Sequence, residues 1–404
     1  MMAPGALDGL RVLDLSRVLA GPLAAQILSD LGADVIKIER PIKGDDSREW
    51  APPTMVERPE APLDESAYFW SCNRGKRSAT ADIATPQGQQ LVRRLARDAD
   101  VVIENYKVDT LARYGLDYAT LALENPGLVY CSITGFGQTG PYRERPGYDT
   151  IVQAMGGLMS ITGDAESATG APGGPRKSGV AVADQMTALY SVVAILAALH
   201  ERKISGLGQQ IDMALLDVQV AALTNIGTNF LATGSLPVRQ GNRLSTVYPS
   251  DNFRCSDGDL MLIVGNDGQF RRLCEALGLN DLGNDPRFAR NADRLANVAV
   301  LAPILQEAFA RLTVGECERR LNQAGVPAAP INNVDQVFAH PQVLARELVR
   351  EVRRHDGGLS RVLASPIRMS RSGVRDDRAP PQLGEHTAEV QAGWPIRASA
   401  PSKS

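Results

Sequence analysis

Residues 11–40 read RVLDLSRVLAGPLAAQILSDLGADVIKIER, and this stretch decides the fold. Arg11–Ser16 reads as a strand, with apolar Val12, Leu13 and Leu15. Gly21-Pro22 then opens a helix, because the N–H that proline lacks has no intrahelical partner in a first turn. The helix runs through Ala24, Ile27 and Leu28 to Leu31, and Gly32 is a natural stop. Val35–Ile38 makes a second strand that ends at Glu39-Arg40. Strand, helix and strand in so short a span form a βαβ unit, whose right-handed crossover sets the strands parallel.

The same alternation continues. Pro86–Arg97 and Leu116–Leu123 read as helices, and Val101–Glu104 and Leu128–Ser132 as strands, so the first 135 residues predict a doubly wound α/β sheet. A Gly-, Pro- and Thr-rich tract spans Gly135–Gly179. The longest helix follows, from Asp184 to about Lys203, with Met186, Leu189, Tyr190, Val193, Leu196 and Leu199 on a helical period. That apolar face is wide enough to predict burial nearly all round. Gln210–Leu215 resumes a strand.

From residue 225 the texture changes to a smaller α+β module. Leu260–Val264 reads as its strand, and Gln269–Leu277, Ala302–Leu312 and Val314–Ala324 as its helices. Pro327–Pro330 returns to strand character, and the tail beyond Arg371 reads as an extended arm. The expected division is residues 1–215 for the N-terminal part of a large domain, 225–330 for a small domain, and 331–395 for a C-terminal part that returns to the large one.

With 404 residues, 43 Lys+Arg and 46 Asp+Glu, the net charge is −3. That balance disfavours general nucleic-acid or membrane-surface binding, which calls for a basic excess. Hydrophobic residues make up 44% and charged ones 22%, an ordinary globular composition. The five cysteines are scattered without a CxxC pair, so reduced buried thiols are expected and no metal site is. Met1–Leu10 has neither a basic nor an apolar signal segment, and Met186–Leu199 is shorter than a membrane span of ~20 residues. The expected compartment is the cytoplasm.

Four histidines (His200, His340, His355, His386) fall in no HExxH or GxSxG context, so the chemistry must rest on other groups. The first βα turn lacks GxGxxG and carries Ala20-Gly21-Pro22 instead, a poor cradle for a dinucleotide. Arg40 after Glu39 suits a phosphate better than a bare ribose. Asp184, ahead of the long apolar helix, reads as an N-cap; the same placement also suits a carboxylate nucleophile held ionised by the helix N-terminus.

The motifs Leu7–Ser16, Ala20–Pro22, Gly32–Arg40, Asn73–Ser78 (NRGKRS), Val102–Asn105, Gly179–Asp184, Ala198–Arg202 and Leu383–Thr387 together resemble the class III CoA-transferases. That family includes formyl-CoA transferase and carnitine CoA-transferase, and α-methylacyl-CoA racemase shares the fold. Within it, Gly44–Trp50, Cys131–Pro141 and Pro330–Leu348 are most similar to the succinyl-CoA:glutarate branch, which exchanges CoA between dicarboxylic acids. The resemblance implies a Rossmann-like large domain built from both chain ends, a smaller α+β domain, and a homodimer of interlocked rings.

It also implies covalent catalysis by Asp184, through an aspartyl anhydride and an aspartyl-CoA thioester, with Tyr148 and Asp149 beside it. No permanently bound cofactor is implied; the CoA thioester is itself substrate, and small carboxylic acids are the other partners. Val18, Ala20, Arg40, Asn105, Tyr106 and Arg113 match positions that contact CoA. Two CoA-contacting lysines of the family are replaced here by Ala84 and Pro146, which leaves the phosphates to Arg40 and Arg113 or to cations such as Lys107 and Arg145. Arg48, Trp50 and Tyr68 are substrate candidates, as are Gly265, Asn266 and Gln269 in a turn matching a glycine-rich lid. The competing reading is an α-methylacyl-CoA racemase, which needs two opposed acid/base groups; there a histidine stands where this chain has Tyr148, a poor base at neutral pH.

Overall fold

Five of the apolar runs read as strands, joined by a sixth strand that the sequence pattern does not reveal, build one parallel sheet. In this computed structural model, which describes residues 3–50, 54–58, 61–164 and 173–394, they are β1 (Arg11–Asp14), β2 (Asp34–Glu39), β3 (Arg77–Thr80), β4 (Val101–Glu104), β5 (Val129–Thr134) and β6 (Gln210–Ala214). Every pairing is parallel. Their order across the sheet is β3-β2-β1-β4-β5-β6. Winding therefore reverses between β1 and β4, and a crevice opens beyond the carboxyl ends of strands at such a point.

Alternating strand residues feed two cores. Val12, Val35, Val101 and Ile103 pack on one face with α1 (Ala20–Asp30) and the longest helix. Leu13, Ile36, Val102 and Tyr130 pack on the other with Val92 and Leu95 of α2 (Pro86–Asp98). Consecutive residues thus point to opposite faces, both covered, as parallel sheets require. The helix predicted at 116–123 is α3 (Tyr118–Glu124), and a short α4 (Asp149–Met155) precedes the long α5 (Val182–Ser205).

Two expectations for α5 are corrected. It is not buried all round: Ala188, Val192, Ile195 and Leu199 face the core, while Leu189, Tyr190 and Val193 are exposed. At 24 residues it also exceeds the apolar stretch read from the sequence, and by length and composition alone it could cross a membrane; here its inner side packs on α1 and the sheet.

The chain divides into two compact units, residues 1–158, 178–233 and 342–404 against 159–177 and 234–341. Residues 159–164 and 173–177, read from the sequence with the large domain, group with the smaller unit. In the larger unit the chain end docks on β3. Gly384 N donates to Ser78 Oγ (2.9 Å), His386 N to the Ser78 carbonyl (2.8 Å), and Thr80 N to Thr387 Oγ1 (3.1 Å). Trp394 Nε1 donates to the Leu95 carbonyl at 2.9 Å; the arm expected beyond Arg371 is thus packed as far as Trp394, though not extended throughout, since Thr387–Gln391 is a helix, and its residues 395–404 lie outside the described residues, as do 165–172 of the loop-rich tract.

The smaller unit holds a three-stranded antiparallel sheet of Ser250–Arg254, Asp259–Ile263 and Ala328–Pro330. Helices Asp267–Ala276, Val298–Ala310 and Val314–Gln323 accompany it, and Phe253 stacks on Phe309 in the core. All five cysteines are buried and unpaired in disulfides.

Candidate active site

The turn after β1 is unusual. Val18 has φ 73°, a left-handed conformation that strains a β-branched residue and persists only where its surroundings enforce it. They do so here from three sides. Asp45 accepts from Val18 N at 3.1 Å. Asn105, just past β4, accepts from Arg17 N (2.8 Å) and donates to the Arg17 carbonyl (2.7 Å). Lys37 donates to the Ser16 carbonyl at 2.7 Å. Gly21 completes the turn, since a Cβ there would lie 2.3 Å from Ser16 Cβ.

The ends of β1, β4 and β5 border one cleft of about 180 Å³, lined among others by Val18, Ala20, Asn105, Tyr106, Tyr148 and Asp184. Six residues singled out from the sequence therefore meet at the switch point of the sheet. The loop carrying Tyr148 is clamped there by two glycine backbones in contact: a Cβ on Gly135 would come within 2.5 Å of Gly147 Cα.

Asp184 is not the N-cap; Ala181 holds that place and Asp184 lies in the first turn of α5. The capping carboxylate is Asp149, whose Oδ1 accepts from Ala183 N (2.9 Å) and Asp184 N (3.3 Å). Its Oδ2 accepts from Gln153 Nε2 at 2.7 Å, and Gln153 Oε1 accepts from Ser178 N at 2.9 Å. Asp149 thus takes up the helix-end donors that would otherwise favour an anion on Asp184. Burial, and secondly the Asp149 charge, push the Asp184 carboxyl up to about 7. The expectation that the helix mouth keeps it fully ionised is corrected: near neutrality it is poised between its two forms. Tyr68 feels the same two anions, and burial together with Asp184 raises its phenol well above the ordinary range, so it remains an O–H donor. Its ring meets Trp50 edge-on at 4.9 Å.

Other candidates stand elsewhere. Arg48 is not open to substrate: it makes a two-pronged ion pair with buried Glu39 (2.7 Å for each bond) and covers the Phe69 ring. Arg40 pairs with Asp46, which Arg17 Nη1 also reaches at 2.8 Å. Arg113 is exposed in the 112–114 turn and is absent from the cleft wall. Gly265, Asn266 and Gln269 belong to the smaller unit. There Asn266 caps a helix by accepting from Gln269 N (2.9 Å), and Gly265 N donates to Gln269 Oε1 (2.7 Å), a closed strand-to-helix turn.

The cleft wall also contains Arg17, Asp46 and Arg143, which sequence reasoning missed. Arg17 and Asp46 adjoin residues that were singled out, but no periodicity marks them. Among the described residues, no group of three or more His, Cys, Asp or Glu side chains could hold a metal ion.

A half-buried carboxylate poised near neutrality at a switch-point cleft is suited to nucleophilic work, and comparison with known proteins shows the family. The model of CoA-transferase family III matches residues 7–387. A succinate–glutarate CoA-transferase of Agrobacterium fabrum is 50% identical over 386 residues, covering 96% of this chain and 95% of the relative. The human succinyl-CoA:glutarate CoA-transferase is 39% identical over 384 residues, covering 95% of this chain and 85% of the relative. The crystal structure of a CAIB/BAIF family protein from Brucella suis superposes with a TM-score of 0.86 at 47% identity, over 96% of this chain and 99% of that one. With its α/β fold, its parallel sheet and this extent of similarity, the chain belongs to CoA-transferase family III and is a CoA-transferase.

Proposed function

We propose that this enzyme moves CoA from succinyl-CoA or another dicarboxyl-CoA to a free dicarboxylic acid such as glutarate, with Asp184 as nucleophile. The observation that carries the reading is the Asp184 carboxylate in the cleft wall, in the first turn of a helix that Asp149 caps. Asp184 attacks the thioester carbonyl, the C–S bond breaks, and a mixed anhydride and CoA thiolate result. The thiolate attacks the Asp184 carbonyl, which expels the donor acid and leaves an aspartyl-CoA thioester. The acceptor carboxylate then reverses both steps, so no net proton is consumed and no histidine is needed. The dicarboxylate class rests on the names of the relatives above. Racemisation would need two opposed acid/base groups, and Tyr148, 63% exposed, stands in place of the histidine of that reading. The open apolar side of α5 (Leu189, Tyr190, Val193) supports a homodimer.

The test incubates the protein with succinyl-CoA and a panel of dicarboxylates and follows CoA esters by mass spectrometry. Hydroxylamine added during turnover should convert Asp184 to its hydroxamate; turnover without that adduct, or no transfer to any acid, defeats the reading.

The poise of Asp184 makes a pH prediction. Only the anion attacks, so kcat/KM should rise with pH across about 7 and level off above it. Asp149→Asn keeps an acceptor oxygen for the helix N–H groups but removes the negative charge. The midpoint should then move toward lower pH; an unmoved midpoint would show that Asp149 does not act on Asp184 through charge. Asn105→Ala, which releases the Arg17–Val18 turn, should raise KM for succinyl-CoA about tenfold, whereas Arg113→Ala should change it less than twofold.

A further inference from the structure

Among the described residues, six buried carboxylates lie within ion-pair distance of a cation: Asp14 of Lys76, Asp30 of Arg74, Glu39 of Arg48, Asp45 of Lys37, Asp100 of Arg202 and Asp376 of Arg350. Glu104, the last residue of β4, is the exception. It is 6% exposed, and no cation among the described residues pairs with it. Its partners are neutral. Oε2 accepts from Tyr106 N at 2.8 Å, and the Ser132 hydroxyl on β5 also bonds to the carboxylate. A charge buried among neutral partners is costly, and burial pushes this carboxyl up to about 7 in spite of both bonds.

Residues 104–108 border two hollows. Asn105, Tyr106, Lys107 and Val108 line the cleft, whereas Glu104, Lys107 and Val108 line a second cavity of about 160 Å³. Tyr130 and Ser132 of β5, Gln210 of β6, and Asp109, Asp117 and Tyr118 of the following loop wall that cavity too. Of its other acids, Asp109 is held by Arg143 at 2.6 Å, and Asp117 Oδ1 accepts from Thr120 Oγ1 at 2.6 Å. Burial raises the Tyr106 and Tyr130 phenols and the Cys131 thiol, and the Glu104 charge adds to the effect on each. Leu15, beyond β1 on the same face of the sheet, is apolar. On the cleft side, Asn105 grips the Arg17 backbone at both its N–H and its carbonyl, and the Tyr106 ring lies 5.2 Å from the Arg17 guanidinium. The shape of the 105–107 turn therefore sets the Arg17–Val18 turn, and Glu104 fixes the 105–107 turn through the Tyr106 N–H.

We propose that Glu104 is a positioning residue for CoA binding: it touches no substrate, and from the second cavity its ionised carboxylate holds the 105–107 turn in the form that the cleft presents to the thioester. The assignment rests on the cleft being where the thioester binds. An anion accepts an N–H bond about twice as strongly as a neutral oxygen does, so the turn is held most firmly when Glu104 is charged. Protonation also turns one carboxyl oxygen into a donor, and the Ser132 hydroxyl must then find another acceptor. Binding of CoA should accordingly weaken as pH falls through the range in which Glu104 titrates.

The experiment measures the Kd of free CoA by calorimetry at pH 6 and pH 8. Every protein in it carries Asp184→Asn, which removes the other carboxyl raised to about 7; the ionisation of CoA itself is common to all and cancels. Added to that parent, Glu104→Ala should weaken Kd about tenfold at pH 8, because the Tyr106 N–H loses its acceptor. Glu104→Gln keeps an acceptor oxygen but carries no charge at either pH. It should match the parent at pH 6, and at pH 8 the parent should bind about fivefold more tightly. A purely structural role would leave the ratio of parent to Glu104→Gln the same at both pH values. A ratio that is unchanged or inverted between pH 6 and pH 8 overturns the assignment, as does a Glu104→Ala Kd within twofold of the parent. If Glu104→Ala does not fold, the near-isosteric Glu104→Gln comparison decides alone. If the native enzyme transfers CoA to no acid, the transfer reading fails, while these Kd values need no acceptor acid and still decide this one.

Discussion

Asp184→Asn is expected to lower CoA transfer by about 10⁴-fold or more and, in the same protein, to raise stability at pH 8. The loss follows from chemistry: an amide cannot form the anhydride, and the other carboxylate of the cleft wall, Asp46, is held by Arg17 and Arg40. The gain follows from the raised carboxyl. Its ordinary value of 3.8 becomes about 7 in the folded chain, so between those pH values the native state binds a proton that the unfolded state has released. Stability therefore falls as pH rises from 4 to 7 and stays low above that. Three pH units of displacement correspond to at most about 4 kcal/mol, and about 2–4 kcal/mol should return when the charge is removed. Denaturant midpoints of both proteins should converge near pH 4 and separate by pH 8. Equal stability at pH 8 would show that the carboxylate is not strained by burial, and retained transfer would remove it from the chemistry.

This opposition between stability and chemistry was only half legible in the sequence. The βαβ reading of residues 11–40 holds because strand and helix periods are local, and Val12/Leu13 and Val101/Val102 show their two-face alternation without reference to partners. The strand Arg77–Thr80 escaped because its polar Arg77, Ser78 and Thr80 serve partners far along the chain, Asp34, Glu39 and Thr387. The antiparallel pair Val349–Arg353 and Leu359–Leu363 was likewise hidden by its charged side chains. Asp184 was legible by its place before an apolar helix, but its raised carboxyl was not, because the causes are burial, which only the packed fold sets, and secondly the charge of Asp149, 35 residues away. Arg48 shows the converse. Beside Trp50 it looked like a substrate cation, and only the fold reveals that Glu39 has taken its Nε–Nη2 edge and the Pro381 carbonyl the other Nη2 donor.

Lys76→Met should destabilise the protein by about 3–5 kcal/mol, the usual cost of orphaning a buried charge. Lys76, within the Asn73–Ser78 motif, donates to Asp14 Oδ2 (2.8 Å), to the Pro22 carbonyl (2.9 Å) and to Asn73 Oδ1 (2.8 Å), fully buried. Burial alone would raise the Asp14 carboxyl, but Lys76 and then Lys37 outweigh it and hold Asp14 below its ordinary value. In wild type, Asp14 therefore contributes stability that is present above its ordinary value and lost as pH falls through the lowered one. In the variant, Lys37 remains at 3.9 Å, already engaged with Asp45 at 2.9 Å, and the Asp14 anion becomes a liability that protonation relieves. The deficit should then be largest near neutrality and shrink toward pH 5. Replacing both partners, as Asp14→Leu/Lys76→Met, should recover more than half of the lost stability, since neither charge is left behind. CoA affinity should not recover with it. Asp14 Oδ1 accepts from Ser16 N at 2.9 Å, so the ion pair braces the very turn that holds Val18 in its strained conformation. A single variant that loses less than 1 kcal/mol, or a double variant that regains tight CoA binding, would separate this network from the cleft above it.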